Sequence, residues 1–415
     1  MRVTMPPRGR PRDEVLAELR NLKVGDTDWA GGRAPLYVFH AGDDPYEIGR
    51  DAFFEYFTEN ALGARRAFPS VKRMEDEVVQ MALSLFQAPP DAAGFMTTGG
   101  TESIILAVQA CRNRNRSQRR DGAFRGNIVA PVSVHPAFDK AARLMDLEVR
   151  RAPVGPDLRA DVAALEAMID DDTMMLVGSA PSFPYGVIDP IADISEVALR
   201  RGLWLHVDAC VGGYLAPFAR RAGWDIPDFD FALPGVSSMS ADLHKFGFCP
   251  KPASTVLFRD AELARHAPFD FDGWPNGQFL TNTIVGTRPA GGVAAAWAVF
   301  NHLGVDGYTE IARRLMTFVD AYRQAVEAVD GLRVHGKPHL SIVTFGSEEF
   351  DVFRVAELMQ EDGWLPGLTR QPRGIHRMMS MVHATSFDAY MNDLRAAVDR
   401  VRKSGDAPAS LKATY

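Results

Sequence analysis

Residues 235–258 read Gly-Val-Ser-Ser-Met-Ser-Ala-Asp-Leu-His-Lys-Phe-Gly-Phe-Cys-Pro-Lys-Pro-Ala-Ser-Thr-Val-Leu-Phe. Two strand-like segments, 237–240 and 255–258, flank a turn that carries one His-Lys pair, His244-Lys245. Small and hydroxyl-bearing residues lead into the pair. A lysine in such surroundings suits imine chemistry, because partial burial lowers the ammonium pKa and exposes a nucleophilic amine. Taken alone, Lys245 reads first as a solvated surface charge, since lysines are rarely buried. The stretches upstream decide between the two. Residues 204–213, Trp-Leu-His-Val-Asp-Ala-Cys-Val-Gly-Gly, form an apolar strand that ends in Asp208 and then glycines. An acid at a strand's carboxyl end stands where open α/β sheets bind ligands. Residues 96–105, Met-Thr-Thr-Gly-Gly-Thr-Glu-Ser-Ile-Ile, form a glycine turn that opens a helix and suits a phosphate.

The same alternation extends in both directions. Strands are expected at 127–131, 148–152, 174–179, 203–208, 237–240 and 255–258. Helices are expected between them at 136–145, 159–170, 190–201 and 217–222, after helices at 12–22, 45–60, 71–85 and 101–112. Strands alternating with helices indicate an α/β fold with a mainly parallel sheet covered on both faces. Beyond Thr287 the pattern changes. Long helices at 290–303 and 307–329 precede two strands, 340–345 and 377–383, that bracket a helix at 352–362. A helix at 387–403 closes the chain, and the last dozen residues carry no core signal. The expected division is an N-terminal arm and helices over 1–60, a large domain over 61–300 and a small α+β domain over 301–415. Residues 1–12 are rich in Pro and Arg and are expected to lack order. Residues 24–44 read as an extended arm containing Tyr37.

A phosphate site, an aspartate and a lysine in that chain order are the equipment for pyridoxal 5′-phosphate. Gly99, Gly100 and Thr101 would supply N–H groups and a hydroxyl to the phosphate. Asp208 would keep the pyridine nitrogen protonated so that the ring accepts electrons. Lys245 would form the Schiff base, and His244 would bond the phosphate or pack as a plain core histidine. An unpaired aspartate in an apolar strand is costly, which itself argues for a cationic partner.

Six stretches carry a resemblance: Thr98-Gly-Gly-Thr-Glu-Ser-Ile104, His135-Pro-Ala-Phe-Asp-Lys-Ala-Ala142, Phe183-Pro-Tyr-Gly-Val-Ile-Asp-Pro190, His206-Val-Asp-Ala-Cys-Val-Gly-Gly213, Ser240-Ala-Asp-Leu-His-Lys245 and Gly286-Thr-Arg-Pro289. Together, in this order, they resemble the sphingosine-1-phosphate lyases, fold-type I enzymes within the wider group of pyridoxal-phosphate decarboxylases. The resemblance runs from about Tyr37 to His383. It implies that His135 stacks on the cofactor ring, and that Gly286 and Thr287 reach the phosphate across the interface of a homodimer with shared active sites. It implies that the arm brings Tyr37 to the neighbouring subunit's site. By the same resemblance Tyr185 lies beside the substrate, where it would move a proton; as a bare residue it is equally a turn tyrosine in a Pro-Tyr-Gly corner. Lys251 matches a lysine that contacts substrate phosphate, a task for a point charge, although Pro252 replaces a small flexible residue beside it.

Two departures bear on the substrate. The family has an Asn-Pro-Leu-His-Pro-type stretch before Phe68-Pro69, whereas this chain reads Asn60-Ala-Leu-Gly-Ala-Arg-Arg66, with Ala64 in the histidine's place. Arg65 and Arg66 would bind an anion instead, or are surface charges. Arg377 stands where the family has an apolar residue, and is a candidate for a substrate carboxylate. The reading is therefore an aldehyde-lyase acting on a phosphorylated long-chain amino alcohol. The alternatives are a decarboxylase, a lyase for another β-hydroxy amine, or a cofactor-binding protein without activity.

Composition fits an enzyme of this size. The chain has 415 residues and a net charge of −7, where a nucleic-acid binder would be basic. Basic residues at 112–116 and 119–120 read as a solvated helix end. The three cysteines, Cys111, Cys210 and Cys249, form no metal motif, and so few suggest a reducing compartment. No apolar run suits a signal peptide or a membrane span. The expectation is a cytoplasmic, bacterial-type member with no integral membrane anchor.

Overall fold

A computed structural model of the chain describes residues 2–118, 125–404 and 409–414. Its centre is a seven-stranded sheet: β1 (Ala93–Thr97), β2 (Asn127–Pro131), β3 (Glu148–Ala152), β4 (Thr173–Ser179), β5 (Trp204–Asp208), β6 (Val236–Ala241) and β7 (Ser254–Phe258). The strand order is β1-β7-β6-β5-β4-β2-β3. The strands from β6 to β3 run parallel, and β7 runs antiparallel to both of its neighbours. The fold is the α/β arrangement expected, with one strand more. β1 escapes a reading by pattern because Ala93 and Gly94 lack strand-forming side chains. The reason for Gly94 is proximity, since a Cβ there would stand 2.5 Å from the Leu257 side chain and 2.8 Å from the Val256 carbonyl.

The strands are apolar throughout because both faces are covered. Ile128, Ala130, Met175 and Val177 pack into one core with helix Gly100–Gln118 and helix Ala137–Met145. The alternate residues Val129, Leu176, Leu205 and Val207 pack into the other, with helix Pro69–Leu85 and helix Ile191–Arg201. The period of two along each strand thus divides the residues between two cores. Each fully buried aliphatic side chain contributes about 1.5–3 kcal/mol. At the carboxyl ends the register aligns Ser179, Asp208 and Ser240 in one row. The sheet turns polar there.

A hairpin, β8 (Phe269–Phe271) and β9 (Phe279–Thr281), projects from the large domain with exposed phenylalanines. A second sheet contains β10 (Arg333–Val334), β11 (Ile342–Gly346), β12 (Gly367–Arg370) and β13 (Arg373–Met378), antiparallel in the order β10-β11-β13-β12. Helix Gly291–Glu327 crosses the expected boundary at residue 300. The two helices expected there are its two arms, and they meet at Gly304, whose φ of 55° and ψ of −173° break the helix.

Three expectations are corrected. The strand expected at 377–383 ends at Met378, and Met381–Ser386 is a 3-10 turn. His383 stops the strand by accepting the Ser380 N–H on Nδ1 at 2.9 Å. The arm at 24–44 does not extend away from its own chain throughout. The Leu365 and Met378 N–H groups donate to the Arg33 and Pro35 carbonyls at 3.0 Å, and Arg33 stacks 4.4 Å from the Trp364 ring. The segment at 409–414, expected to carry no core signal, docks on the small domain. Buried Glu357 accepts hydrogen bonds from Ser410 Oγ at 2.6 Å and the Leu411 N–H at 2.8 Å, and Leu411 packs on the core. Residues 2–11 have neither helix nor strand. Arg119 and Arg120 lie outside the described residues. Among the described residues no helix is long and apolar enough to cross a membrane.

Candidate active site

The carboxyl ends of β2, β5 and β6 open on a cavity of about 410 Å³. Gly99, Gly100, Thr101, His135, Asp208, His244 and Lys245 all line it, as do Glu102, Phe183 and Asp242. The segments after β1, β2, β5 and β6 therefore bring together seven residues that are 146 positions apart at the extremes (245 − 99).

Each side chain is fixed by its element. Asp208 ends β5 and is buried; its Oδ1 accepts the Cys210 N–H at 3.1 Å and Ser240 Oγ at 3.3 Å. Two residues earlier, buried His206 is bonded to Ser238 Oγ at 2.8 Å and Ser240 Oγ at 3.2 Å, and burial lowers its pKa to about 4. His135 follows β2, and its Nδ1 accepts the N–H of Ala137 at 3.1 Å where the next helix begins. Burial lowers the His135 pKa against the opposing pull of Asp208, so the ring is neutral and presents a flat face. His244 Nδ1 accepts the Ala253 N–H at 3.2 Å, which leaves the proton on Nε2 in the neutral ring.

The glycine turn is tightly packed, and at Gly100 too closely for a side chain. The Ser103 N–H donates to the Gly99 carbonyl at 3.0 Å, so the helix starts at Gly100 with its first N–H groups unclaimed by the helix. A Cβ on Gly100 would stand 2.6 Å from Cys210 Sγ and 3.0 Å from both Asp242 oxygens; one on Gly99 would stand 3.3 Å from His244 Cε1. Glu102 holds this turn in place. Its Oε2 accepts the Thr98 N–H and Oγ1, both at 2.7 Å, and its Oε1 accepts the N–H groups of Ile284 at 2.9 Å and Val285 at 3.2 Å.

Lys245 departs from expectation in one respect. Burial lowers its pKa, but the carboxylates of Asp242 and Asp208 outweigh burial, and the ammonium is held well above its ordinary range. Asp242, unnoticed in the sequence, places Oδ2 3.1 Å from Lys245 Nζ and 3.6 Å from His244 Nε2.

The substrate residues are more dispersed. Tyr185 is buried and lines an adjoining cavity of about 790 Å³ that meets the first at His135 and Phe183. Its hydroxyl donates to the Gln371 carbonyl at 2.6 Å, and burial raises its pKa, so it is a proton donor already engaged. Lys251 Nζ lies 5.8 Å from the Phe39 ring centre; desolvation, then the charge of Lys245, lowers its pKa. Tyr37 is 51% exposed with φ of 69°, and does not line the cavity of its own chain. Arg65 and Gly286 line a separate cavity of about 230 Å³ with Leu62 and Leu280, while Arg66 and Thr287 are exposed. Ala64 is buried in the core. Arg377 is removed from the chemistry. It is 3% exposed, 3.7 Å from the Tyr390 ring centre and 5.9 Å from that of Trp364. Strand β13 points it into an aromatic cage of the small domain, which corrects its assignment to a substrate carboxylate.

The profile of the pyridoxal-dependent decarboxylase conserved domain matches residues 58–347. The chain belongs to that family. It is 38% identical over 396 residues to the sphingosine-1-phosphate lyase of Arabidopsis thaliana, covering 94% of this chain and 72% of that protein. The solved structure of Burkholderia pseudomallei sphingosine-1-phosphate lyase superposes with a TM-score of 0.92 at 35% identity, over 97% of this chain and 94% of that one. A probable L-aspartate decarboxylase of Pyrococcus abyssi is 33% identical over 392 residues, 94% of this chain and 98% of that protein. The cofactor of this family member is pyridoxal phosphate, and the residues present fit it: a glycine cradle that a Cβ would fill, a strand-end aspartate, a flat neutral imidazole and a half-buried lysine.

Proposed function

We propose that the chain is an aldehyde-lyase that cleaves the Cα–Cβ bond of a phosphorylated long-chain amino alcohol, giving a fatty aldehyde and phosphoethanolamine. The observation that carries this reading is the meeting of two cavities at His135 and Phe183, one polar and built for the cofactor, the other walled by Leu36, Val134, Pro184 and Leu368. A polar head with an alkyl chain fits that pair. The Arabidopsis lyase aligns with 94% of this chain over 72% of its own length, and the Burkholderia lyase has the same fold.

When bound, pyridoxal phosphate supplies an electron sink for the broken bond. The turn Gly99–Gly100–Thr101 and His244 would hold its phosphate, Asp208 would hold a proton on its ring nitrogen, His135 would cover its ring and Lys245 would be the point of attachment. The substrate hydroxyl must lose its proton as the bond breaks. Tyr185 lines the cavity but donates its hydroxyl to Gln371, so it would have to release that bond to move the proton. Lys251 attracts the substrate phosphate.

We further infer a homodimer. Leu62, Leu280, Ile284 and Val285 are all more than a third exposed, an apolar face that monomers rarely leave open. This face carries Arg65, Gly286 and Thr287, which a partner chain would receive beside its Lys245 cavity, and Tyr37 would enter the same way. Three unpaired, buried cysteines favour a reducing, cytoplasmic setting. The test is mass spectrometry after incubation with dihydrosphingosine 1-phosphate. Aldehyde and phosphoethanolamine are expected, and neither from Lys245→Ala. Carbon dioxide from L-aspartate with no aldehyde would instead establish the decarboxylase reading, which the Pyrococcus relative keeps in view.

A further inference from the structure

Asp242 stands one residue beyond β6 and has no part in the cofactor contacts assigned above. It is 3% exposed. Its Oδ2 meets Lys245 Nζ at 3.1 Å, while its Oδ1 is buried without any hydrogen-bond partner. Both oxygens lie 3.0 Å from the place a Cβ on Gly100 would take, so the carboxylate fills the floor beneath the glycine turn. Leaving a buried carboxylate oxygen unsatisfied is costly, and an ion pair with Lys245 alone does not require it. The other groups near Nζ are committed. Asp208 accepts from Cys210 N–H and Ser240 and faces the ring position, and burial keeps the Cys210 thiol un-ionised.

We propose that Asp242 is a positioning residue that holds Lys245 as an ammonium beneath the glycine turn whenever Lys245 is not bonded to the cofactor, at the cost of leaving its own Oδ1 unsatisfied. Attachment joins Nζ to the aldehyde carbon of the cofactor. The aldehyde oxygen would leave as water with two amine hydrogens, and the third proton of the ammonium would pass to solvent, so the ion pair with Asp242 must open first. Each time a substrate amine displaces Lys245, the same contact receives it again. The inference rests on the cofactor, not on the identity of the substrate, and its test uses no substrate.

Cofactor-free protein is mixed with saturating pyridoxal phosphate across a pH series. Attachment is followed by absorbance and confirmed by borohydride reduction and mass analysis of the Lys245 peptide. For the wild type, the rate should climb about tenfold per pH unit without a plateau below lysine's ordinary pKa of about 10.4. Asp242→Asn preserves the shape and removes the charge. Its profile should move down by at least about one unit, so that attachment at neutral pH is about tenfold faster or more. An unchanged midpoint, or slower attachment at neutral pH in a folded Asp242→Asn protein, overturns the proposal. If that variant does not fold, the wild-type profile decides, because a plateau below lysine's ordinary pKa overturns it as well.

Discussion

Replacing Gly100 with alanine adds one methyl group at the floor of the cofactor cradle. Gly100 is not in the left-handed region, so its backbone accepts alanine, and the helix it opens gains about 0.5–1 kcal/mol from the change. Packing opposes this. The new Cβ would stand 2.6 Å from Cys210 Sγ, a residue buried between β5 and the turn, with both Asp242 oxygens at 3.0 Å. None of these atoms is the far end of a flexible chain, so the turn itself must move. Overpacking of this kind costs roughly 1–3 kcal/mol, against a gain no larger than about 1. A displaced turn loses one or more N–H bonds to an ionised phosphate, each worth about 1.5–3 kcal/mol. Gly100→Ala should therefore weaken pyridoxal phosphate binding by roughly 10- to 150-fold. Gly99→Ala is the control. Its Cβ would meet only His244 Cε1 at 3.3 Å, which a few tenths of an ångström relieve, so the loss should stay within about threefold. Equilibrium titration of cofactor-free protein, with melting temperature measured alongside, reads both. Wild-type affinity in Gly100→Ala, or a greater loss in Gly99→Ala, would refute the packing argument.

Arg377→Met should leave KM within about twofold, because the cage holds Arg377 away from substrate. Melting should change by only a few degrees, since a lost cation–π contact of up to about 2 kcal/mol is offset by removing a buried charge; a tenfold rise in KM would return Arg377 to the substrate. Mixing inactive Lys245→Ala chains with inactive Gly286→Trp chains should restore roughly a quarter of wild-type activity if sites are shared across a two-fold interface, and none if each chain is self-sufficient. Acid should destabilise the protein through its buried histidines. Burial places the folded pKa of His206 at about 4, below the unfolded value of about 6.5, so between these values the unfolded chain binds the extra proton and stability falls as pH falls. His206→Gln should flatten the decline in melting temperature between about pH 6.5 and 4; an unchanged slope would show that His206 is protonated in the fold.

The parts of the site that follow local rules were legible. Asp208 ends an apolar strand, the glycine turn opens a helix and Lys245 follows a strand, so the chain order and the carboxyl-end rule bring them together without any contact being known. Glu102 and Asp242 were not legible. A lone acid in a sequence does not show whether its partner is 3 residues away, as for Asp242 and Lys245, or 182, as for Glu102 and Ile284. Arg377 was misread, and Tyr185 left open between two roles, for a related reason. Guanidinium suits a carboxylate or an aromatic cage equally, and a tyrosine in a turn suits a substrate or a carbonyl; only tertiary packing chooses. β1 was missed because its glycine exists for close approach to β7, a long-range demand with no periodic trace. The small domain's last strand was misplaced because His383, apolar enough to continue a strand, caps a turn instead.

Glu102 grips two things at once: Thr98 in the cradle and the N–H groups of Ile284 and Val285 on the exposed apolar face. A ligand that orders one of these regions lowers the entropy left to lose when the other is ordered. If two chains pair through that face, cofactor loading and pairing are thermodynamically linked, and linkage is reciprocal. By whatever factor pyridoxal phosphate tightens the pairing of two chains, pairing tightens the hold on pyridoxal phosphate. A cell short of this vitamin-derived cofactor would then hold a larger share of separated chains, and dilution of the protein would release cofactor that no competitor had displaced.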